Sequence, residues 1–141
     1  MSGSALLRFI YRSAPPPGQR FFNWAWTVAR SFCGLPLKRS IFGEKARYVP
    51  PLYLMQDGAR DYVEFSENGL AALNRFLASG LKPSDRILNI GCGVGRKTIP
   101  LLDCLTTGSY EGFHVVGKQV RWCAKRITPR YPHFRFQHVE I

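Results

Sequence analysis

A chain of 141 residues, 45% of them hydrophobic, has the length and composition of one globular domain, which excludes wholesale disorder. Twenty Lys and Arg residues against nine Asp and Glu residues give a formal net charge of +11. This surplus favours nucleic acid or an anionic membrane surface as a partner, and a basic tail on a globular domain accounts for it equally well.

The four cysteines, at positions 33, 92, 104 and 123, indicate free thiols in a reducing compartment. Their gaps are irregular, no pair has the CxxC spacing, and the three histidines do not complete a zinc pattern. We therefore expect a cytoplasmic protein without a metal site, with a position peripheral to a membrane as the alternative.

Residues 1–60 are predicted to form a basic, aromatic-rich N-terminal extension and linker, followed by a folded domain over residues 61–141. The extension has nine basic and two acidic residues, and its first 43 residues contain no acid. Such a start is also typical of an organelle transit peptide. Residues 38–55 contain prolines and are expected to lie along the domain surface as a linker, with 48–54 extended.

An aromatic segment over residues 20–33 is predicted to be helical, because Phe21, Trp24, Val28 and Phe32 fall on one stripe. The segment is too short to span a bilayer, which needs ~20 apolar residues. Two interpretations compete. One is an interfacial helix on an anionic membrane, and the other is a helix packed on the domain or on a partner, which is the commoner fate of an aromatic stripe.

A second helix is predicted over residues 62–79. Asp61 and Glu64 have the spacing of a capping box, and Gly80 is a suitable helix terminator. Apolar residues recur at helical spacing at Leu70, Leu73, Phe76 and Leu77. This helix is interpreted as structural support for the segment that follows it.

The stretch RILNIGCGVGR, residues 86–96, combines a short apolar strand with three closely spaced glycines. A strand is predicted over 87–90, and a helix over 98–105 follows the glycines. Glycine lets the backbone approach a ligand closely and permits positive φ, and a helix start offers unpaired N–H groups. The arrangement predicts a nucleotide-type binding turn. Within it, Cys92 is interpreted as a small residue that fits the turn, in preference to a catalytic thiol.

Two further strands, over 110–116 and 134–141, flank a helix predicted over 119–128. Strands that alternate with helices of about ten residues predict a parallel sheet with right-handed crossovers. The strand order in space is expected to be 3-2-1.

From about residue 48 to the end, the chain resembles the N-terminal half of a class I S-adenosylmethionine-dependent methyltransferase. The resemblance rests on residues 87–96, which match motif I of that family, and on residues 108–114, 122–123 and 127–138. It implies a truncated Rossmann-like three-layer α/β sandwich, an S-adenosylmethionine cofactor, and methyl transfer to a nitrogen, oxygen or carbon nucleophile. Strands 4 to 7 of the family have no counterpart here. We therefore expect an exposed apolar edge at strand 1, open to self-association, and weak or absent turnover.

The resemblance implies cofactor contacts from Asn89, Gly91, Cys92, Gly93, Gly95, His114 and Glu140. Asn89 stands where the family usually has an acid near the methionine part of the cofactor. His114 stands where an acid usually takes both ribose hydroxyls, and a neutral imidazole has only one acceptor nitrogen. Weaker cofactor binding than the family pattern is therefore expected. Glu140 matches an acid near the adenine or is an ordinary strand-end charge, and the residues identify no catalytic base.

The alternative function belongs to a different class: a non-enzymatic basic module that binds RNA or an anionic membrane on a degenerate Rossmann scaffold. The charge of +11 and the aromatic segment motivate it. Its signature is salt-dependent binding to nucleic acid or to anionic vesicles. No RNA-recognition motif is visible in the sequence.

Overall fold

The structure, a computed structural model, describes residues 35–55 and 59–140. These residues form a helical segment followed by alternating strands and helices. In chain order the elements are α1 (Leu35–Phe42), two 3-10 helices (Gly43–Tyr48 and Leu52–Leu54), α2 (Tyr62–Ala78), β1 (Arg86–Ile90), α3 (Thr98–Leu101), β2 (Ser109–His114), α4 (Gly117–Arg126) and β3 (Phe134–His138). The helix predicted over residues 20–33 lies outside the described residues.

The three strands form one parallel sheet in the order β1-β2-β3. Its register aligns Ile90 with Phe113 and His114 with His138. The α/β class, the parallel pairing and the predicted strand order 3-2-1 are confirmed. Because the strands are parallel and in register, their carboxyl ends meet at one edge of the sheet, which is where ligands bind in folds of this kind.

Only one face of the sheet is covered by the described helices. Tyr110 and Phe134, on the covered face, are buried in a single hydrophobic cluster that includes residues of all four helices. On the opposite face, Leu88 and Ile90 are 63% and 83% exposed. In parallel sheets, right-handed crossovers that run in the same direction place successive helices on the same side, and helices reach the other side only where the strand order reverses. The described residues thus form two layers, one of helices and one of sheet, which is compatible with the predicted truncated Rossmann-like fold.

Helix α2 has the ends that its sequence predicts. The Asp61 carboxylate accepts a hydrogen bond from the Glu64 N–H at 2.8 Å, as expected of an N-cap. Gly80 has φ of +86°, and the Leu81 N–H donates to the Phe76 carbonyl at 3.0 Å. The positive φ of Gly80 and the bond from Leu81 are those of a Schellman motif, which satisfies carbonyl groups that a helix end would otherwise leave unpaired.

The segment before α2 is part of the core, so its interpretation as an extended linker on the surface is wrong. Tyr48, Val49 and Leu54 are buried, and two 3-10 helices replace the extended backbone. Side chains of α4 hold the segment from the other side. The Gln119 Nε2 donates to the Leu54 carbonyl at 2.9 Å, and the Trp122 Nε1 donates to the Tyr48 carbonyl at 3.4 Å. Contacts across more than sixty residues of chain are invisible to a local pattern.

The helix after the glycine turn is shorter than the predicted span of 98–105. Helix α3 ends at Leu101, whose carbonyl accepts from the N–H groups of both Cys104 and Leu105 at 3.0 Å. The chain thus passes from the helix into a tight turn. Pro100 is the third residue of the helix and falls in its first turn, where a missing N–H has little cost. The other elements predicted within the described residues differ from the observed ones only at their ends.

Candidate functional site

Three glycines after β1 adopt backbone torsions that other residues rarely take. The angle φ is +84° at Gly91, +55° at Gly93 and +86° at Gly95. A Cβ at Gly91 or Gly93 would meet no atom within 4 Å, so both positions face open space. A Cβ at Gly95 would lie 3.3 Å from the Cys123 Sγ on α4. The turn therefore has an open side, where a ligand can contact the backbone, and a packed side.

One carbonyl group of β2 anchors the start of the turn. The Phe113 oxygen accepts hydrogen bonds from the Gly91 N–H at 2.8 Å and from the Cys92 N–H at 3.0 Å. These bonds continue the pairing of β1 and β2 for two residues beyond the strand. The turn is consequently fixed in position relative to His114, the residue that follows Phe113.

The start of α3 offers fewer donors than the sequence suggests. The Thr98 and Ile99 N–H groups both donate to the Gly95 carbonyl, at 3.0 and 2.9 Å, so these two are not available to a ligand. Neither the Gly93 nor the Val94 N–H donates to a backbone carbonyl of the described residues. The donors that the turn presents therefore come from its middle.

Asn89 is directed into the protein beneath the turn. Its Nδ2 donates to the Tyr110 hydroxyl at 2.7 Å, and the Thr98 Oγ1 donates to the same hydroxyl at 2.8 Å. Both Tyr110 and Thr98 are fully buried. Burial raises the pKa of Tyr110, so the phenol stays protonated at neutral pH. The amide of Asn89 thus has a structural role, because the Tyr110 hydroxyl of β2 joins it on β1 to Thr98 at the start of α3.

Two thiols support the turn from its packed side. The Cys92 and Cys123 Sγ atoms both donate to the Gly93 carbonyl at 3.7 Å. Cys92 also packs on Gly112, because a Cβ added at Gly112 would lie 3.0 Å from the Cys92 Cβ. Burial raises the pKa of Cys92 to about 11, and burial also raises the pKa of Cys123. Both thiols are therefore protonated at neutral pH, which supports the interpretation of Cys92 as a packing residue.

His114 and Glu140 lie at the same edge of the sheet as the glycine turn. His114 is the last residue of β2 and is half-buried, and its carbonyl accepts from the Val139 N–H at 3.1 Å. Glu140 follows β3 and is exposed. Neighbouring strands lie about 4.8 Å apart, so Glu140 is about 10 Å across the sheet from the turn. The topology thus brings the predicted site residues into one row, with the turn, the imidazole and the carboxylate in that order.

The arrangement suits an elongated ligand better than a compact one. The open glycines provide close backbone contact at one end of the row, and the only carboxylate among the predicted site residues stands at the other end. The open space beside Gly91 and Gly93 leaves room for a ligand to lie against the backbone of the turn. The row also lacks acids at positions 89 and 114, where the resemblance would place them.

Sequence reasoning missed Tyr110 and Thr98, although they determine where Asn89 points. Tyr110 and Gly112 are the two buried residues of β2, and partly exposed residues stand on either side of each. Such an alternation along a strand indicates a buried face. A buried tyrosine needs a partner for its hydroxyl group. The identity of those partners depends on the pairing of β1 with β2, which only the folded chain provides.

No known protein-family model matches the chain. None of the helices in the described part of the chain is both long and apolar enough to cross a bilayer. Within residues 35–55 and 59–140, no three His, Cys, Asp or Glu side chains converge on a point where a metal ion could bind.

Proposed function

We propose that the glycine turn and the strand ends beside it form the cofactor half of an S-adenosylmethionine-dependent methyltransferase unit in the cytoplasm. The observation that carries this proposal is the pair of positive-φ glycines, Gly91 and Gly93, that open to space at the carboxyl end of a parallel strand. Resemblance of residues 87–96 to motif I supports the choice of cofactor among nucleotide-like ligands.

Each residue of the row has a definite task in this proposal. The backbone around Gly91 and Gly93 admits the cofactor to close contact. His114, with one acceptor nitrogen, holds a single ribose hydroxyl, and Glu140 accepts a hydrogen bond from the adenine amino group. Asn89 keeps the turn in place through Tyr110. When bound, the cofactor supplies a methyl group on a sulfonium for transfer to a nitrogen, oxygen or carbon nucleophile.

Binding is expected to be weak and turnover low or absent. No carboxylate of the chain occupies positions 89 or 114, so the charge-assisted hydrogen bonds of the family pattern are missing. In the described residues β1 is an edge strand, so the cleft beside the turn has one wall. A half-open cleft leaves water around the reacting atoms and gives no second surface to position a methyl acceptor.

Calorimetric titration of the chain with S-adenosylmethionine tests the assignment, with Asn89→Asp and His114→Asp as variants. His114→Asp should raise the affinity by about tenfold, because a hydrogen bond to a charged group is worth about 1.5 kcal/mol or more. Asn89→Asp should not raise it, because the side chain at position 89 contacts the buried Tyr110 hydroxyl and does not face the open side of the turn. Asn74→Asp, on the exposed side of α2, adds the same charge away from the site and should leave the affinity unchanged.

One outcome would overturn the cofactor assignment, and another would overturn only the expected weak affinity. Absence of binding at millimolar cofactor in the wild type and in both variants would remove the cofactor assignment. Tight binding by the wild type would support the cofactor assignment and would show that the acids absent from positions 89 and 114, and the open side of the cleft, cost little affinity.

A further inference from the structure

A basic groove lies on the helical side of the molecule, away from the glycine turn. It has a volume of about 780 Å³ and is formed by the α1 segment, the first 3-10 helix and α4. Its charged lining consists of four cations and one carboxylate: Lys38, Arg39, Arg47, Arg126 and Glu44. None of the residues predicted to contact the cofactor contributes to it.

Most of the positive charge in this basic groove is not compensated by acidic residues of the described part of the chain. The Glu44 carboxylate lies 3.7 Å from the Arg47 guanidinium, but both side chains are largely exposed, so the pair is weak. In the described part of the chain, Lys38, Arg39 and Arg126 form no ion pair. Three cations are therefore left within one concave surface.

Aromatic rings take the place of acids as neighbours of two of these cations. The Lys38 Nζ lies 5.8 Å from the centroid of the Tyr62 ring, and the Arg126 guanidinium lies 4.9 Å from the Trp122 ring. Burial, followed by the charge of Arg126, lowers the pKa of Lys38 to about 8. An anion in the groove would stabilise the protonated form of Lys38 and raise its pKa again.

We propose that the basic groove binds the phosphate groups of a single-stranded nucleic acid. The cations line a concave surface, into which successive phosphates of a flexible strand can enter and pair with them. A bilayer presents its headgroups in a flat layer, which reaches fewer of these side chains at once. Trp122 in the groove wall, extended by the guanidinium of Arg126, offers a surface on which a base can stack.

The test compares two double variants of the full chain that lose the same charge. Arg39→Gln with Arg126→Gln removes two cations from the groove, and Lys82→Gln with Arg130→Gln removes two exposed cations outside it. Binding of a fluorescein-labelled oligouridine is measured by anisotropy over a range of salt concentrations. The groove variant should bind about tenfold more weakly, and its salt dependence should fall by about 1.4 in the slope of log K against log salt. The control variant should stay within about threefold of the wild type.

A charge-conserving variant separates binding from folding. Arg39→Lys with Arg126→Lys should retain most of the affinity, because a phosphate is also bound by an ammonium group. Loss of binding in this variant, equal losses in the groove and control variants, or no binding by the wild type would each overturn the proposal. Binding to anionic phosphatidylserine vesicles without binding to the oligouridine would also overturn it, in favour of a membrane partner.

The acidity of Lys38 supplies a further readout. Phosphate binding favours the protonated amine, so the affinity should be constant below pH 8 and should decrease as the pH rises above 8. Replacement of Lys38 by Met removes the titrating group and should flatten this decrease. The other charged residues that line the groove with Lys38 are Arg39, Glu44, Arg47 and Arg126, and the Tyr62 ring also lies beside the Lys38 amine. An identical decrease in the wild type and in Lys38→Met would contradict the assignment of Lys38 to the site.

Discussion

Gly91 and Gly80 have almost the same backbone torsion, with φ of +84° and +86°, and a Cβ at either would meet nothing within 4 Å. One is in the candidate site and the other ends α2. Alanine at either position should therefore reduce the free energy of unfolding by about 1–2 kcal/mol, the cost of placing an L-residue in left-handed backbone. Urea unfolding measures this cost. The affinity for S-adenosylmethionine, measured by calorimetric titration, should decrease only in Gly91→Ala.

Gly95→Ala completes the comparison. The φ of Gly95, +86°, is close to the φ of the other two glycines, but a Cβ at this position would lie 3.3 Å from the Cys123 Sγ. It should destabilise the protein by more than either of the other two alanine variants, since overpacking adds to the torsional cost. Equal losses at all three glycines would show that the packed side of the turn can relax. An unchanged affinity for S-adenosylmethionine in Gly91→Ala would mean that the ligand does not contact the turn.

At the scale of single residues, the sequence indicates which residue types form a site better than it indicates where their side chains point. The three glycines could be read as a binding turn because only glycine combines positive φ with a missing side chain. The amide of Asn89 could not be assigned to Tyr110, because the two are separated by 21 positions and meet only through strand pairing. A local pattern contains no information on that contact.

At the scale of elements, the 3-10 helix over Leu52–Leu54 tests whether the segment before α2 belongs to the core. Leu54 is 7% exposed, whereas Leu70 on α2 is 51% exposed. Leu54→Ala should reduce the free energy of unfolding by about 2–5 kcal/mol, and Leu70→Ala by less than about 0.5 kcal/mol. Denaturant unfolding followed by tryptophan fluorescence provides the measurement. Similar small losses in both variants would restore the interpretation of this segment as a surface linker.

Helix α2 and the strands could be predicted because they repeat apolar residues at a regular period and have recognisable ends. Neither 3-10 helix has enough turns to show a period, so the prolines around residues 50–51 dominated the interpretation. The burial of this segment depends on Gln119 and Trp122, which lie on α4. Tertiary contacts thus determine the structure where the local signal is weak.

At the scale of the whole molecule, the open face of the sheet has the two most exposed large apolar side chains of the described residues. Leu88 and Ile90 are 63% and 83% exposed on β1, which is an edge strand in the described sheet. Edge strands with apolar side chains pair readily with other chains. The wild type should therefore self-associate, with a sedimentation mass that rises above 16.0 kDa as its concentration increases.

Leu88→Lys with Ile90→Lys should keep the protein at the monomer mass, because charges on an edge strand disfavour pairing. Leu70→Lys with Leu77→Lys adds the same charge to exposed positions on α2 and serves as the control. The control should associate like the wild type. A monomeric wild type, or association that survives the lysines on β1, would contradict the role of this face.

The sequence by itself determined the α/β class, the parallel strand order, the glycine turn and the ends of α2. Each of these depends on residues close together in the chain: alternating apolar periods, a cap, or glycines at fixed spacing. Only the tertiary structure decided that the helices cover one face of the sheet, that residues 48–55 are in the core, and that Asn89 turns inward to Tyr110. It also brought the cations of α1 and α4 into one groove. These features arise from contacts between distant parts of the chain, and such contacts have no periodic trace in the sequence.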